Sequence, residues 1–278
     1  SPRPPAENAE LALLLEVAGT PKPGNVDRRR DLDDLRFEQF LAGSVGSAAG
    51  LRLAAEGAPI GEAFEHAVAG MSRQSGGNTQ FGCLLLLTPL VSVAAAGTLS
   101  REAVRDRCRA TTVDDAVDFY RAFEHVDVAV GDPPEGADDL DVRRGSDAEP
   151  ALRERETTLW DVMELSAAPD EGVPDTNAVE WVEGFPRTFD AAEAVLGDDG
   201  PVLDRAARSF LRQLAAEPDT LVRTSHGEET ARETRRRAEE TLTAVERADS
   251  LDPAEDLARE FVDEGINPGT TADRVAAA

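Results

Sequence analysis

The chain has 278 residues and carries 55 Asp plus Glu against 29 Lys plus Arg, a formal charge of −26. That balance excludes a general nucleic-acid binder, which needs basic groups to neutralise phosphates, and adsorption to an anionic membrane. Self-repulsion on this scale destabilises a compact chain in dilute salt, and the Debye length falls to about 3 Å at 1 M, so a salt-rich cytoplasm, as in a halophilic archaeon, is expected.

From the N-terminus, "SPRPPAENAE" does not read as a signal peptide. Leu11, Leu14, Leu15 and Ala18 then follow helical spacing. "TPKPGNVDR" (20–28) is a turn that holds Lys22, the single lysine; the other 28 basic residues are arginine. Phe37, Phe40, Leu41, Ser44, Val45 and Ala48 continue one stripe through a second helix. Within it, "GSVGSAAG" (43–50) is rich in small residues. Each glycine there costs roughly 1 kcal/mol against alanine, a cost that close approach of a helix or a ligand offsets. Phe64, Val68 and Met71 mark a third helix.

"SGGNTQFG" (75–82) precedes an apolar helix, with Asn78 or Thr79 as its expected N-cap. Glycine turns entering helices present free N–H groups and a positive dipole end to phosphate. The run "CLLLLTPLVSVAAAG" has 15 residues and contains Pro89, short of the roughly 20 that span a bilayer. Cys83 and Cys108 are the only cysteines. Two do not make a disulfide framework, so a reducing cytoplasm and a soluble protein are expected.

"HVDVAV" (125–130) is the one persuasive strand pattern. Residues 131–150 carry Pro, Gly and acid and read as a solvated insertion. Leu203, Ala207, Phe210, Leu211 and Leu214 mark a later helix. The expectation is an all-α fold of nine to twelve helices in a single compact domain over 1–278, with the acidic loop inserted. A homodimer is allowed for.

Two further turns resemble the first pair. "EPDTLVRTSHG" (217–227) puts Asp219 and Thr220 at a helix start with Arg223 one turn on. Arg223 either pairs with Asp219 or clamps a phosphate. "GINPGTTADR" (265–274) opens a terminal helix through Asn267, Pro268 and Gly269, with Asp273 in its first turn.

In this order the four segments resemble the triphosphoribosyl-dephospho-CoA synthase family. Its "TPKPGLVD"-like, "G-x-NTH-x-G", "PDTLV" and "NPGGSAD" stretches stand here as "TPKPGNVDR", "GGNTQFG", "PDTLVRTSHG" and "NPGTTAD". The resemblance runs from about residue 11 to 275. It implies an all-α enzyme that joins ATP to 3′-dephospho-CoA: a ribose hydroxyl attacks C1′ of the ATP ribose, adenine leaves and the triphosphate is kept.

That chemistry sets what the site must supply. The triphosphate calls for cations, here Lys22, Arg223 and Mg²⁺. Gly24, Asn25, Gly77, Asn78, Thr79, Gln80, Asp219, Thr220, Asn267 and Gly269 are the expected nucleotide-binding residues around them. Asp27, Asp219 and Asp273 are the expected Mg²⁺ ligands. A carboxylate, Glu16 or Asp27, is expected to stabilise the oxocarbenium-like state, and a base must help the attacking hydroxyl.

Two departures stand out. Gln80 replaces the family's histidine and cannot act as a general base, which leaves His226 as the expected substitute. "TT" replaces "GS" before Asp273. His66 and His125 read as surface histidines, Asp114, Asp115, Asp175 and Asn177 as caps, and "RETRRRAEE" as a charged helix face.

Three functions compete. The first is a nucleotide-dependent transferase with ATP as substrate. The second is a relative that binds nucleotide without turnover. The third is a nucleotide hydrolase. Lysine and arginine are not interchangeable at a tight phosphate site, so Lys22→Arg is expected to weaken nucleotide binding with helix content unchanged.

Overall fold

Fifteen α-helices and no strand appear in the computed structural model, which describes residues 2–131, 133, 136–169 and 173–278. They are α1 (Pro5–Ala18), α2 (Phe37–Ala55), α3 (Ile60–Met71), α4 (Phe81–Ala95), α5 (Arg101–Arg109), α6 (Val113–Ala122), α7 (Glu149–Glu154), α8 (Leu159–Ala167), α9 (Thr176–Glu183), α10 (Pro186–Leu196), α11 (Val202–Ala216), α12 (Thr220–His226), α13 (Glu228–Ala248), α14 (Asp252–Asp263) and α15 (Gly269–Ala277). The excess over the sequence expectation comes from short helices such as α7 and α12, too brief to show a period.

Two other expectations are corrected. Residues 125–130 form no strand; Val126 is buried and Val128 half-buried while Asp127 and Ala129 are exposed. The alternation is real, but the segment lies on a helical surface with no partner strand. The insertion is only partly a solvated loop. Asp132, Pro134 and Glu135 fall outside the described residues. Asp138–Leu140 and Val142–Ala148 form 3₁₀ turns; the second packs back on α6, and the first packs on the second and on α7. There Tyr120 donates to the Leu140 carbonyl at 2.6 Å and the Ser146 N–H to Glu124 at 2.7 Å.

The buried face of α1 is Ala6, Ala9, Leu13, Glu16 and Val17; the stripe Leu11, Leu14, Leu15 and Ala18 is only half-buried. Helices α2, α4, α11 and α15 all touch α1, and the polar Glu16 on its inner face hides that face from a hydrophobic count. On α2, Val45 is 63% exposed rather than buried. The glycines take the inner side instead. A Cβ on Gly46 would lie 2.2 Å from the Gly70 carbonyl oxygen, and one on Gly50 would lie 2.3 Å from the Ala67 nitrogen. The small-residue run therefore serves close packing of α2 on α3.

Helix α4 is apolar on nearly every side and runs through the core against α1, α2, α3, α5, α9 and α15. Pro89 cannot donate to the Leu85 carbonyl four residues back. The Trp181 indole N–H takes that carbonyl at 3.1 Å, which fastens α9 to α4.

Among the described residues two large apolar cores result, with a small third cluster of Val17, Val26 and Phe40 beside them. One gathers α1 to α10 around Leu84, Phe64 and Phe119; the other gathers α11, α13 and α14 around Phe210, Leu214 and Phe261. Helix α15 adds Ala276 to the first core and Ala272 and Val275 to the second. Polar groups collect at its N-terminal half, between the cores.

Candidate functional site

The four turn segments, up to 250 residues apart in sequence, meet at the start of α15. In the first, Gly24 has φ +74°, and a Cβ there would fall 2.0 Å from the Ile266 carbonyl oxygen. Both the left-handed backbone and the contact require glycine. The Asn25 amide then donates to Asn267 Oδ1 at 2.9 Å, which ties the first segment to the fourth.

The second segment reaches the fourth through Gly82 and Cys83. A Cβ on Gly82 would meet Asp273 Oδ2 at 2.0 Å. The Cys83 thiol donates to Asp273 Oδ1 at 3.2 Å. The third segment joins by a carboxylate: Asp219 Oδ2 accepts from the Thr271 N–H and hydroxyl, each at 2.7 Å, while its Oδ1 caps α12 by accepting from the Val222 N–H at 3.1 Å. The Leu221 N–H also donates to the Thr270 hydroxyl at 3.3 Å. Thr220 bonds Thr176 at the start of α9, and Gly269 faces Leu221.

Lys22 lies in the floor of this junction. Its side chain is 0% exposed and forms an ion pair with Glu16. Its ammonium donates to Asn25 Oδ1 at 3.0 Å and sits 5.8 Å from the centre of the Phe210 ring. The sequence expectation of an ammonium open to a triphosphate is therefore corrected: the charge is enclosed between the two cores. Asp27, also 0% exposed, organises the turn. Its Oδ2 accepts from the Thr20 hydroxyl at 2.8 Å, the Lys22 N–H at 3.2 Å and the Arg30 guanidinium at 2.8 Å, and its Oδ1 accepts from the Arg29 N–H at 2.8 Å.

Burial pushes the Glu16 carboxyl above its usual range, against the attraction of Lys22. Burial likewise raises Asp219, against the Thr271 and Val222 donors. Asp273 is raised to about 7, first by burial and then by the charges of Asp219 and Glu16, against its bonds from Asn177 and Cys83.

These acids do not form an all-protein cage for Mg²⁺. Among the described residues no group of three His, Cys, Asp or Glu is placed to hold a metal ion. Asp27 is occupied by protein donors, and Asp219 caps one helix while holding the next.

Gly77, Asn78, Thr79, Gln80 and Arg223 take no part in these bonds. Asn78 does act at the start of α4: its Oδ1 accepts from the Phe81 N–H at 3.0 Å. Gly77 is exposed, with φ +65° in a turn. Gln80 is 1% exposed, and its amide donates to the Ser44 hydroxyl at 2.9 Å. Gln80 Oε1 and Thr79 Oγ1 are buried without partners; both lie against Gly43, where a Cβ would meet them at 3.0 and 2.6 Å.

Arg223 pairs with neither Asp219 nor an open site; its Nε lies 2.8 Å from Glu228, close enough for an ion pair though not aligned as a hydrogen bond. His226 is exposed, and its Nε2 lies 3.1 Å from the carbonyl oxygen of Gly265, the first residue of the fourth segment. Asp273 is the fifth residue of α15 rather than part of its first turn.

Asn177 was not predictable as a site residue. It follows a true N-cap, Asp175, which accepts from the Ala178 N–H at 2.8 Å. Yet its own amide donates across to Asp273 Oδ2 at 2.9 Å. A groove of about 1040 Å³ runs along α13 and meets the fourth segment at Ile266. Its arginines, Arg232, Arg235, Arg236 and Arg237, are all paired with glutamates.

The family model for CitG, ATP:dephospho-CoA triphosphoribosyl transferase, matches residues 2–278. A solved structure from Archaeoglobus fulgidus, provisionally named a triphosphoribosyl-dephospho-CoA synthase, superposes with a TM-score of 0.66. It shares 27% identity, over 87% of this chain and 95% of that one. A comparison with curated proteins finds no match. With its four segments gathered at α15 and the family model covering all but the first residue, the chain belongs to the ATP:dephospho-CoA triphosphoribosyl transferase family.

Proposed function

We propose that this chain moves the 5′-triphosphoribosyl group of ATP onto a ribose hydroxyl of dephospho-CoA, releasing adenine, at the junction in front of α15. The observation that carries this reading is the convergence of the four segments on one helix start. Gly77, Asn78 and Thr79 ahead of α4, and Asn267 and Gly269 ahead of α15, receive the nucleotide, whose phosphates are drawn to helix N-termini. Thr220 and the Asp219 brace hold α12 against α15 beside them.

Lys22 works from the floor. It fixes Glu16 and Asn25, and Asn25 fixes Asn267. Its positive charge is felt by a ligand above without direct contact, and Glu16 offers negative charge to an oxocarbenium-like sugar. Arg223 meets phosphate by exchanging its partner Glu228, which is 44% exposed. Mg²⁺ enters bound to the triphosphate rather than held by a cage of this chain's acids, so no step is assigned to it. The reading places the protein in the cytoplasm; among the described residues no helix is long and apolar enough to cross a membrane. Light scattering on the 29.7 kDa chain distinguishes one copy from a homodimer.

Incubation with ATP, Mg²⁺ and dephospho-CoA in molar salt is expected to release adenine in step with a triphosphoribosylated product, read by chromatography. ATP bound without adenine released would instead favour the non-catalytic relative. Phosphate or ribose triphosphate formed from ATP alone would mark the hydrolase.

A further inference from the structure

We propose that Asp273 is the carboxylate that takes the proton of the attacking hydroxyl, and that Cys83 and Asn177 are the positioning residues that aim it. The inference rests on the transferase reading and adds the base that this reading lacks.

Four acids lie at the junction: Glu16, Asp27, Asp219 and Asp273. Glu16, Asp27 and Asp219 are 3%, 0% and 1% exposed. Glu16 is held by the Lys22 ammonium. Asp27 is held by the Arg30 guanidinium and two backbone N–H groups. Asp219 is held by the starts of two helices. Each is engaged by a cation or by backbone donors and is too buried to meet the attacking hydroxyl. Asp273 alone of the four is partly exposed, and no cation among the described residues pairs with it.

Its two donors are neutral, one on each oxygen: the Cys83 thiol on Oδ1 and the Asn177 amide on Oδ2. A carboxylate has about four acceptor positions, so capacity for an incoming hydroxyl remains. Both donors fix the direction in which that capacity points. Gly82 completes the seat, since any side chain there would strike Asp273 Oδ2. Asn177 Oδ1 is buried and unpartnered, an acceptor left for a second hydroxyl of the substrate.

The surroundings also suit proton transfer. Burial and the charges of Asp219 and Glu16, facing from the start of α12 and from α1, set Asp273 near neutrality, while Cys83 on α4 and Asn177 on α9 oppose that rise. A base whose pKa lies near the working pH is the most effective. The Cys83 thiol itself is pushed well up by burial and then by Asp273 and Glu16, so it stays protonated and serves as a donor. In the step, the acceptor oxygen bonds to C1′ as the C1′–N9 bond breaks, and the bonding pair leaves with adenine. The hydroxyl proton passes to Asp273 and then to water, and water protonates the adenine.

The test compares wild type with Asp273→Asn and Cys83→Ala in the adenine-release assay, with ATP binding followed by equilibrium dialysis. Asp273→Asn should lower kcat by about 100-fold or more and leave KM and ATP affinity within about threefold. Cys83→Ala removes a donor to the ionised form, so the acidic limb of the kcat profile should move to higher pH, and Cys83→Ser should move it back. Asp273→Asn retaining more than half of kcat, or losing ATP affinity as steeply as kcat, overturns the proposal while the transferase reading stands. If Asp273→Asn does not fold, an acidic limb unmoved in Cys83→Ala overturns it. An inactive wild type that binds ATP overturns the reading and this inference together.

Discussion

Lys22–Glu16 in the junction and Arg236–Glu233 on α13 are the same kind of ion pair in two solvents. The first pair is 0% and 2% exposed, the second 51% and 49%. On α13 the charges keep most of their hydration, and Arg236 bonds Glu240 as well, so no single partner matters much. In the junction neither charge can return to water, so each depends on the other. Charge density along the sequence does not show this difference. "RETRRRAEE" shows dense charge, whereas "TPKPGNVDR" shows one lysine.

The comparison breaks most sharply at Lys22. Lys22→Met leaves Glu16 enclosed without its cation and is expected to cost about 3–5 kcal/mol, measured by urea unfolding in molar salt. Adding Glu16→Gln should return a large part of that loss, because no unpaired charge is then left inside. Lys22→Arg must also be reconsidered. Lys22 is fully enclosed beside Asn25, Glu16 and Phe210, so a bulkier guanidinium is expected to lower stability as well as nucleotide affinity. A Lys22→Met variant as stable as wild type would show that the pair is not enclosed.

A smaller effect is expected at the seam between α2 and α3. Gly50→Ala puts a Cβ 2.3 Å from the Ala67 nitrogen and 2.4 Å from the Ala63 oxygen, and backbone cannot step aside as a side-chain tip can. Overpacking of this sort costs about 1–3 kcal/mol, more than the roughly 0.5–1 kcal/mol that alanine gains over glycine within a helix. Val45→Ala, on the exposed side of the same helix, should stay within about 0.5 kcal/mol. Equal melting temperatures for the two variants would remove the distinction.

The two contrasts mark what was legible. The helices were legible because apolar spacing repeats over several turns, and α11 buries Ala207, Phe210, Leu211 and Leu214 from its expected stripe. Inner faces built on glycine or a buried acid were not: a hydrophobic count passes over Gly46, Gly50 and Glu16. The four site segments were legible as turns, since Pro, Gly, Asn and capping acids mark turns locally. That they close on α15 was not, because the bonds of Asn25 to Asn267 and Asp219 to Thr271 span 242 and 52 residues. Asn177 and Cys83 stayed hidden for the same reason. An asparagine after an N-cap and a cysteine in an apolar run look structural until Asp273 is placed between them.

The smallest effect tests the other side of the comparison. Arg236→Ala removes an exposed cation and is expected to cost at most about 0.5–1 kcal/mol. Salt should separate it from Lys22→Met more clearly than size does. The chain carries −26, so losing one surface arginine adds to a self-repulsion that acts through solvent. At about 0.1 M salt the Debye length is about 10 Å, and that repulsion still reaches neighbouring glutamates; at 1 M it is about 3 Å and does not. Wild-type stability should therefore rise with salt, and the gap between wild type and Arg236→Ala should close. Salt cannot enter the junction to screen Glu16, so the gap for Lys22→Met should stay nearly constant across the same range. If both gaps close together, the floor of the junction is wet, and Lys22 is within reach of a triphosphate after all.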